Sequence, residues 1–176
     1  MVLSRRLICW VVAMGLLTAA QSAIGQASSG NDKSGNAVPV SVLEKHFFDA
    51  IRSGNVEDVL SYVSKDGVNV GPDAQRTSQE AVEQEFAGHR GLYCRLFDSS
   101  CIRASIDLAN SKRTCSYREL LTHSKEVRTA ASAMTRGGVR QAVLVARIKS
   151  DKCPNQSLID FVFNLQADGW KLFSIP

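Results

Sequence analysis

The stretch LIDFVFNLQADGWKLFSI, residues 158–175, decides the fold class of this chain. From Ile159 to Leu165 large apolar residues occupy every second position, which is typical of a β-strand with one buried face. Residues 167–169 read Ala-Asp-Gly and predict a turn, after which Trp170–Ile175 returns as a second strand. The stretch therefore predicts a β-hairpin that buries one face against another layer.

A second hairpin is predicted just before it. Val127–Met134 and Val139–Ile148 are both strand-like, and Thr135-Arg136-Gly137-Gly138 separates them. Two adjacent glycines suit a tight hairpin turn because they adopt positive φ angles at no steric cost. We therefore expect an antiparallel meander in the second half of the chain.

The first half has helical spacing instead. Ser41 and Glu44 have the form of a capping box, and apolar residues from Leu43 to Ile51 then recur on one helical face. Asn55 is placed to cap a second helix. Val68–Val70 predicts a short strand, which ends at a Gly-Pro break.

A third helix is predicted from a second capping box, Thr77 with Glu80. Its apolar stripe continues past two glycines, which weaken the pattern without ending it. The stripe comprises Val82, Phe86, His89, Tyr93 and then Leu96 or Phe97. The region after it is harder to assign. Residues 102–106 alternate like a strand, and Tyr117–Leu121 fits either a strand or a short helix. Helices first and a meander after them predict an α+β domain, with N-terminal helices packed on a curved antiparallel sheet.

Two segments resemble the NTF2-like superfamily, the cystatin-like α+β cone. The ending FVFNLQADGWKLFSI, residues 161–175, is similar to the last hairpin of many members, and FFDAIRSGN, residues 47–55, is similar to their first helix-to-helix step. The resemblance implies a pocket between helices and sheet. The family includes isomerases, dehydratases, epoxide hydrolases and binding modules without chemistry. Two cysteine pairs and residues 102–124 depart from the common pattern.

The N-terminus predicts a cleavable secretory signal over residues 1–25. Arg5 and Arg6 precede the apolar stretch Leu7–Ala20, and Ala23-Ile24-Gly25 has the spacing of a cleavage site. The apolar stretch is shorter than the roughly 20 residues of a membrane-spanning helix, so we expect no stable membrane anchor after cleavage. A polar, flexible leader over residues 26–40 and one domain over residues 41–176 would follow.

Charge argues against a nucleic-acid partner. The formal net charge of +4 falls by two, to +2, because Arg5 and Arg6 leave with the signal. Basic residues are also scattered among acidic ones, whereas nucleic-acid binding usually needs a basic stripe.

Four cysteines remain after cleavage: Cys94, Cys101, Cys115 and Cys153. An even number in an exported domain indicates two disulfides with three possible connectivities, of which we favour Cys94–Cys101 and Cys115–Cys153. A zinc site is the alternative, but paired C-x-x-C knuckles are missing. We expect no metal and no cofactor, and a periplasmic or extracellular location.

Three residues are candidates for acid–base chemistry: His89, Tyr93 and Asp160. His89 shares the apolar stripe of the third helix with Tyr93, one turn away, although a hydrogen-bonded histidine at the edge of the core is the more ordinary interpretation. Asp160 points away from the apolar face of its strand, where a solvent-facing carboxylate is more common than a buried base. The predicted ligand pocket comprises Phe47, Val82, Phe86, His89 and Tyr93.

No recognisable catalytic motif is present in the sequence. The leading hypothesis is an exported module that binds a small apolar ligand or a protein partner, with a homodimer through the outer sheet face. An NTF2-like pocket enzyme of the isomerase or dehydratase type is one alternative. An inhibitor or immunity-like partner protein is another, and it would expose an apolar patch.

Overall fold

The computed structural model describes residues 37–71, 75–105 and 114–175, so the predicted signal and residues 26–36 of the leader lie outside the described residues. The elements follow one another along the chain as α1 Val40–Ser53, α2 Val56–Ser61, β1 Val68–Val70, β2 Gln75–Thr77, α3 Gln79–Ala87, α4 Leu92–Phe97, α5 Ser99–Ser105, α6 Tyr117–His123, β3 Glu126–Arg136, β4 Val139–Lys149, β5 Leu158–Gln166 and β6 Gly169–Ile175.

The six strands form one sheet in the order β2-β1-β6-β5-β4-β3. All neighbours are antiparallel except β1 and β6, which run parallel. The two predicted hairpins, β3–β4 and β5–β6, are confirmed. Gly137 and Gly138 form the first turn with φ angles of 57° and 78°, the left-handed conformation that a two-residue hairpin turn needs.

The helices cover one face of the sheet, and the core lies between them. Phe47 of α1 is fully buried, and its ring meets Phe161 and Phe163 of β5 edge-on, with ring centroids 4.8 and 5.0 Å apart. Ala142, Leu144 and Ala146 of β4 continue the same buried face. The predicted α+β class, with helices on one side of a sheet, is confirmed.

Two of the three predicted helix starts are wrong, that of α1 by two residues and that of α3 by one. α1 begins at Val40, and the Pro39 carbonyl accepts the first amides, so Ser41 lies inside the helix and caps nothing. In α3 the capping side chain is Ser78, which accepts from the Ala81 amide at 3.2 Å, whereas Thr77 is the last residue of β2. The predicted Asn55 cap is confirmed by its bond with the Asp58 amide.

The expectation that the third helix runs past Gly88 and Gly91 is also wrong, because α3 ends at Ala87 and α4 begins at Leu92. The strand expected at residues 102–106 is wrong as well. Residues 99–105 are helical as α5, and residue 106 lies outside the described residues. Tyr117–His123 is the helix α6, which resolves the ambiguity of that segment.

Both favoured disulfides are present. Cys94 and Cys101 are bonded across seven positions of sequence, and Cys115 and Cys153 across 38. Within the described residues, no helix is long and apolar enough to cross a membrane. The same part of the chain holds no cluster of three or more His, Cys, Asp or Glu side chains arranged to hold a metal ion.

Candidate functional site

A half-enclosed cavity of about 510 Å³ lies among α4, α5, α6 and the short strands β1 and β2. We call one side of it the helical wall, which is made of Glu85, Arg90, Gly91, Leu92, Cys94, Arg95, Cys101 and Ile102. The opposite side is the α6 wall, which is made of Thr114, Cys115, Tyr117 and Gln156. Val70 of β1 and Thr77 of β2 complete the lining.

The turn between α3 and α4 shapes the helical wall. Glu85, in the last part of α3, accepts a hydrogen bond from the Leu92 amide at 2.7 Å and so closes the start of α4. Gly91 permits this contact: its φ is 53°, and a side chain there would overlap the Glu85 carboxylate. The next residue back, Arg90, donates its amide to the Glu85 carbonyl at 2.9 Å and contributes its side chain to the cavity.

The α6 wall is held by contacts between residues far apart in sequence. The Gln156 side-chain oxygen accepts from the Cys115 amide at 2.7 Å, and its amide nitrogen donates to the Cys115 carbonyl at 3.1 Å. The disulfide from Cys115 to Cys153 joins the same two segments. Both sulfurs belong to almost fully buried residues, so this wall is anchored in the core.

A capping box orders the start of α6 beside this wall. The Ser116 hydroxyl accepts from the Glu119 amide, and the Glu119 carboxylate accepts from the Ser116 amide at 3.1 Å. Lys152 donates to the other Glu119 oxygen at 2.9 Å. Burial raises the pKa of Glu119, but hydrogen bonds from Ser99, Lys152 and the Ser116 backbone outweigh burial and hold that pKa at about 2. Glu119 is therefore an anion that fastens α6 to the loop before β5.

The charged groups of the cavity are two guanidinium groups and one carboxylate, from Arg90, Arg95 and Glu85. The phenol of Tyr117 also lines it. Burial raises the pKa of Tyr117 to about 12; the charge of Arg95 lowers it and that of Asp160 raises it further. Tyr117 is therefore a neutral phenol at physiological pH, within the field of a nearby cation. The cavity presents positive charge and hydroxyl groups over a largely apolar lining.

The residues predicted to form a pocket lie elsewhere. Phe47, Val82 and Phe86 are buried in the core and do not line this cavity. His89 and Tyr93 stack on each other, with ring centroids 4.3 Å apart and an interplanar angle of 13°. His89 is exposed, whereas Tyr93 is half-buried and contacts the Phe86 ring edge-on. Neither lines the cavity.

Asp160, the third predicted acid–base residue, is half-buried in β5 opposite Val145 of β4. Its neighbours Ile159 and Phe161 face the helices and are buried. The alternation of a strand places Asp160 on the other face of the sheet. The structure therefore brings His89 and Tyr93 together and leaves Asp160 apart from them.

The polar residues that line the cavity are not among the predicted site residues. Arg90 lies inside the predicted third helix, although the glycines on both sides, Gly88 and Gly91, signal a turn. The spacing Ser116-x-x-Glu119 is a capping-box pattern that would have identified the start of α6. No local pattern could have paired Gln156 with Cys115, since that contact is tertiary.

Comparisons with known proteins add little. No protein-family model matches the chain, and no curated protein matches it. Among solved structures, the chain is similar to a "putative ketosteroid isomerase" from Shewanella frigidimarina, at 15% sequence identity and a TM-score of 0.38, over 77% of this chain and 91% of the other. A TM-score this low carries no argument about fold or activity.

Proposed function

We propose that this protein is an exported module that binds a small ligand in the cavity between the helical wall and the α6 wall. The observation that carries this proposal is the cavity itself: about 510 Å³, lined mainly by apolar surface with a few converging polar groups. Sites for small molecules in proteins usually have this volume and this mixture.

The construction of the cavity favours binding. Both disulfides contribute to its lining, through Cys94, Cys101 and Cys115. Gln156 adds two hydrogen bonds to the backbone of the α6 wall. A site whose walls are already ordered loses less conformational entropy when a ligand enters it.

The acid–base alternative has less support. It requires His89 and Asp160 to act on one bound substrate, yet neither lines the cavity. A general base must come within hydrogen-bonding reach of the proton that it removes. We therefore propose ligand binding as the function and keep an isomerase-type or dehydratase-type activity as a separate hypothesis.

A matched pair of substitutions tests the binding proposal. Val70→Phe places a larger side chain in the lining, whereas Val139→Phe makes the same change at an exposed position beyond the cavity. The probe is N-phenyl-1-naphthylamine, whose fluorescence increases in apolar sites. We expect wild type and Val139→Phe to bind it equally, and Val70→Phe to bind at least tenfold more weakly. Equal binding by all three proteins, or binding by none, would contradict the proposal.

Export is part of the same proposal. The two disulfides support it, since disulfides persist in oxidising compartments and are rare in the cytosol. The test is expression of the full chain in a bacterial host, followed by fractionation and mass measurement. We expect a periplasmic protein that begins at residue 26 and whose four cysteines are all in disulfides. A cytosolic protein of full length would refute export.

A homodimer through the outer face of the sheet is also proposed. On that face Val143 of β4 lies opposite Val162 of β5, and both side chains are half-buried. Light scattering over a wide range of protein concentration would show a dimer, and Val143→Lys should shift it to monomer. A monomer at the highest soluble concentration would exclude this assembly.

A further inference from the structure

The polar groups of the cavity differ in how many of their hydrogen-bonding atoms are already used by other parts of the protein. Gln156 uses both its side-chain oxygen and its nitrogen on the Cys115 backbone. One Glu85 oxygen accepts the Leu92 amide. Arg90, in contrast, is exposed and makes no side-chain hydrogen bond or ion pair with any residue that the structure describes. Its guanidinium group is the strongest unsatisfied hydrogen-bond donor of the lining.

The backbone around Arg90 is held in an unusual conformation. His89 is the one non-glycine residue of the described chain with a positive φ, 49°, and Gly91 also has a positive φ. A left-handed conformation costs an ordinary residue roughly 1–2 kcal/mol. Such strain persists where the surroundings fix it, often at ligand clamps. Here the stacked rings of His89 and Tyr93 and the bond from Leu92 to Glu85 fix it.

The Arg90 side chain is also guided by its own turn. It passes beside Gly88, where an added Cβ would lie 3.5 Å from Nε and 3.6 Å from Cδ of Arg90. Arg95, one turn into α4, adds a second guanidinium group to the same wall. Guanidinium groups bind carboxylates and other oxyanions through paired hydrogen bonds.

We propose that the cavity binds an apolar molecule that carries one oxyanion group, with Arg90 as the residue that binds the anion and Arg95 as a supporting charge. The inference rests on the binding function proposed above and names its ligand class. The apolar body of the ligand would contact Val70, Leu92 and Ile102, which line the same space.

The test compares two fluorescent probes with the same ring skeleton. 8-Anilinonaphthalene-1-sulfonate carries a sulfonate, and N-phenyl-1-naphthylamine lacks it. We expect wild type to bind the sulfonate at least tenfold more tightly. Arg90→Gln should remove this preference, because the sulfonate then loses its hydrogen-bond donor. Arg95→Lys, which keeps a charge, should retain part of the preference.

Arg136→Gln removes one exposed arginine at the β3–β4 turn and is the matched control. Near-UV circular dichroism verifies that each variant is folded.

The outcomes separate the two proposals. Equal affinity of wild type for both probes would overturn the oxyanion inference while the cavity itself still binds ligands. Equal loss of the sulfonate preference in Arg90→Gln and Arg136→Gln would overturn it too, since overall charge would then explain the preference. Binding of neither probe would overturn both the inference and the proposed function.

Discussion

The two walls of the cavity are both stapled by a disulfide, but they are stabilised in different ways. In the α6 wall, Cys115–Cys153 closes a long loop, and hydrogen bonds from Gln156 and a capping box at Ser116 act with it. In the helical wall, Cys94–Cys101 spans only seven positions, next to the strained residue His89. The α6 wall is therefore built from contacts that stabilise the fold. The helical wall includes the strained backbone of His89, which lowers stability and holds Arg90 in place.

The largest expected effect is the loss of stability when a disulfide is removed, and it differs between the two disulfides. In the chain-entropy model, removing Cys115–Cys153 with paired alanines should lower the free energy of unfolding by about 4 kcal/mol, and removing Cys94–Cys101 by about 2.5 kcal/mol. Urea unfolding of both double variants measures the difference. Equal losses of unfolding free energy would show that loop length does not make one disulfide more stabilising than the other.

The next effect concerns Gln156. Gln156→Leu leaves the buried amide and carbonyl of Cys115 without their partners, so we expect a loss of about 2 kcal/mol. Gln84→Leu, which removes an exposed bond between side chains of α3, is the control and should change stability by less than about 0.5 kcal/mol. If the two variants behave alike, the α6 wall does not depend on this contact.

Acid should weaken the α6 wall through Glu119. Its folded-state pKa of about 2 lies below the ordinary value of 4.5, so its contribution is complete above pH 4.5 and is lost as the pH falls toward 2. Glu119→Gln should lose about 1–2 kcal/mol near neutral pH, after allowance for partial exposure, and should show a shallower decline below pH 4.5.

Unfolding measured from pH 7 to pH 2 tests this pH dependence. Glu80→Gln is the control, because Glu80 is an exposed carboxylate in the first turn of α3. An acid limb of Glu119→Gln that runs parallel to that of wild type would contradict the assignment.

The smallest effect has the opposite sign. His89→Gly should raise the free energy of unfolding by up to about 1 kcal/mol, because glycine accepts the left-handed backbone that histidine resists. His123→Gly, at the end of α6, makes the same change in helical backbone and should be destabilising by about 0.5–1 kcal/mol. Destabilisation of both variants would mean that the helical wall stores no strain at His89.

Local patterns predicted much of the fold. The β5–β6 hairpin follows from period-two alternation around a turn, and both disulfides agree with the even number of cysteines that follow the predicted signal. The break between α3 and α4 escaped prediction because an apolar stripe continues through it, and a glycine within a helix costs only about 1 kcal/mol. The alternation at residues 102–106 resembled a strand, although a helix fits it equally well over so few residues.

The candidate site was less predictable than the fold. Val82 and Phe86, which the stripe of the third helix predicts as pocket residues, are buried. They fill the core and do not line the cavity. The lining depends on where α4, α6 and the Gln156 segment meet. Such meeting points are set by tertiary packing, which periodicity along one segment does not encode.

The strand order has a consequence for how the chain acquires its structure. Among the described residues, β6 is the last strand along the chain. It lies between β1 and β5 and so joins the β1–β2 pair to the rest of the sheet. Until Gly169–Ile175 has left the ribosome, the sheet stays in two unconnected pieces, and pairings this distant in sequence form slowly. Closure of the sheet is therefore a late folding step, because it waits for a strand that lies far along the chain from β1 and β2.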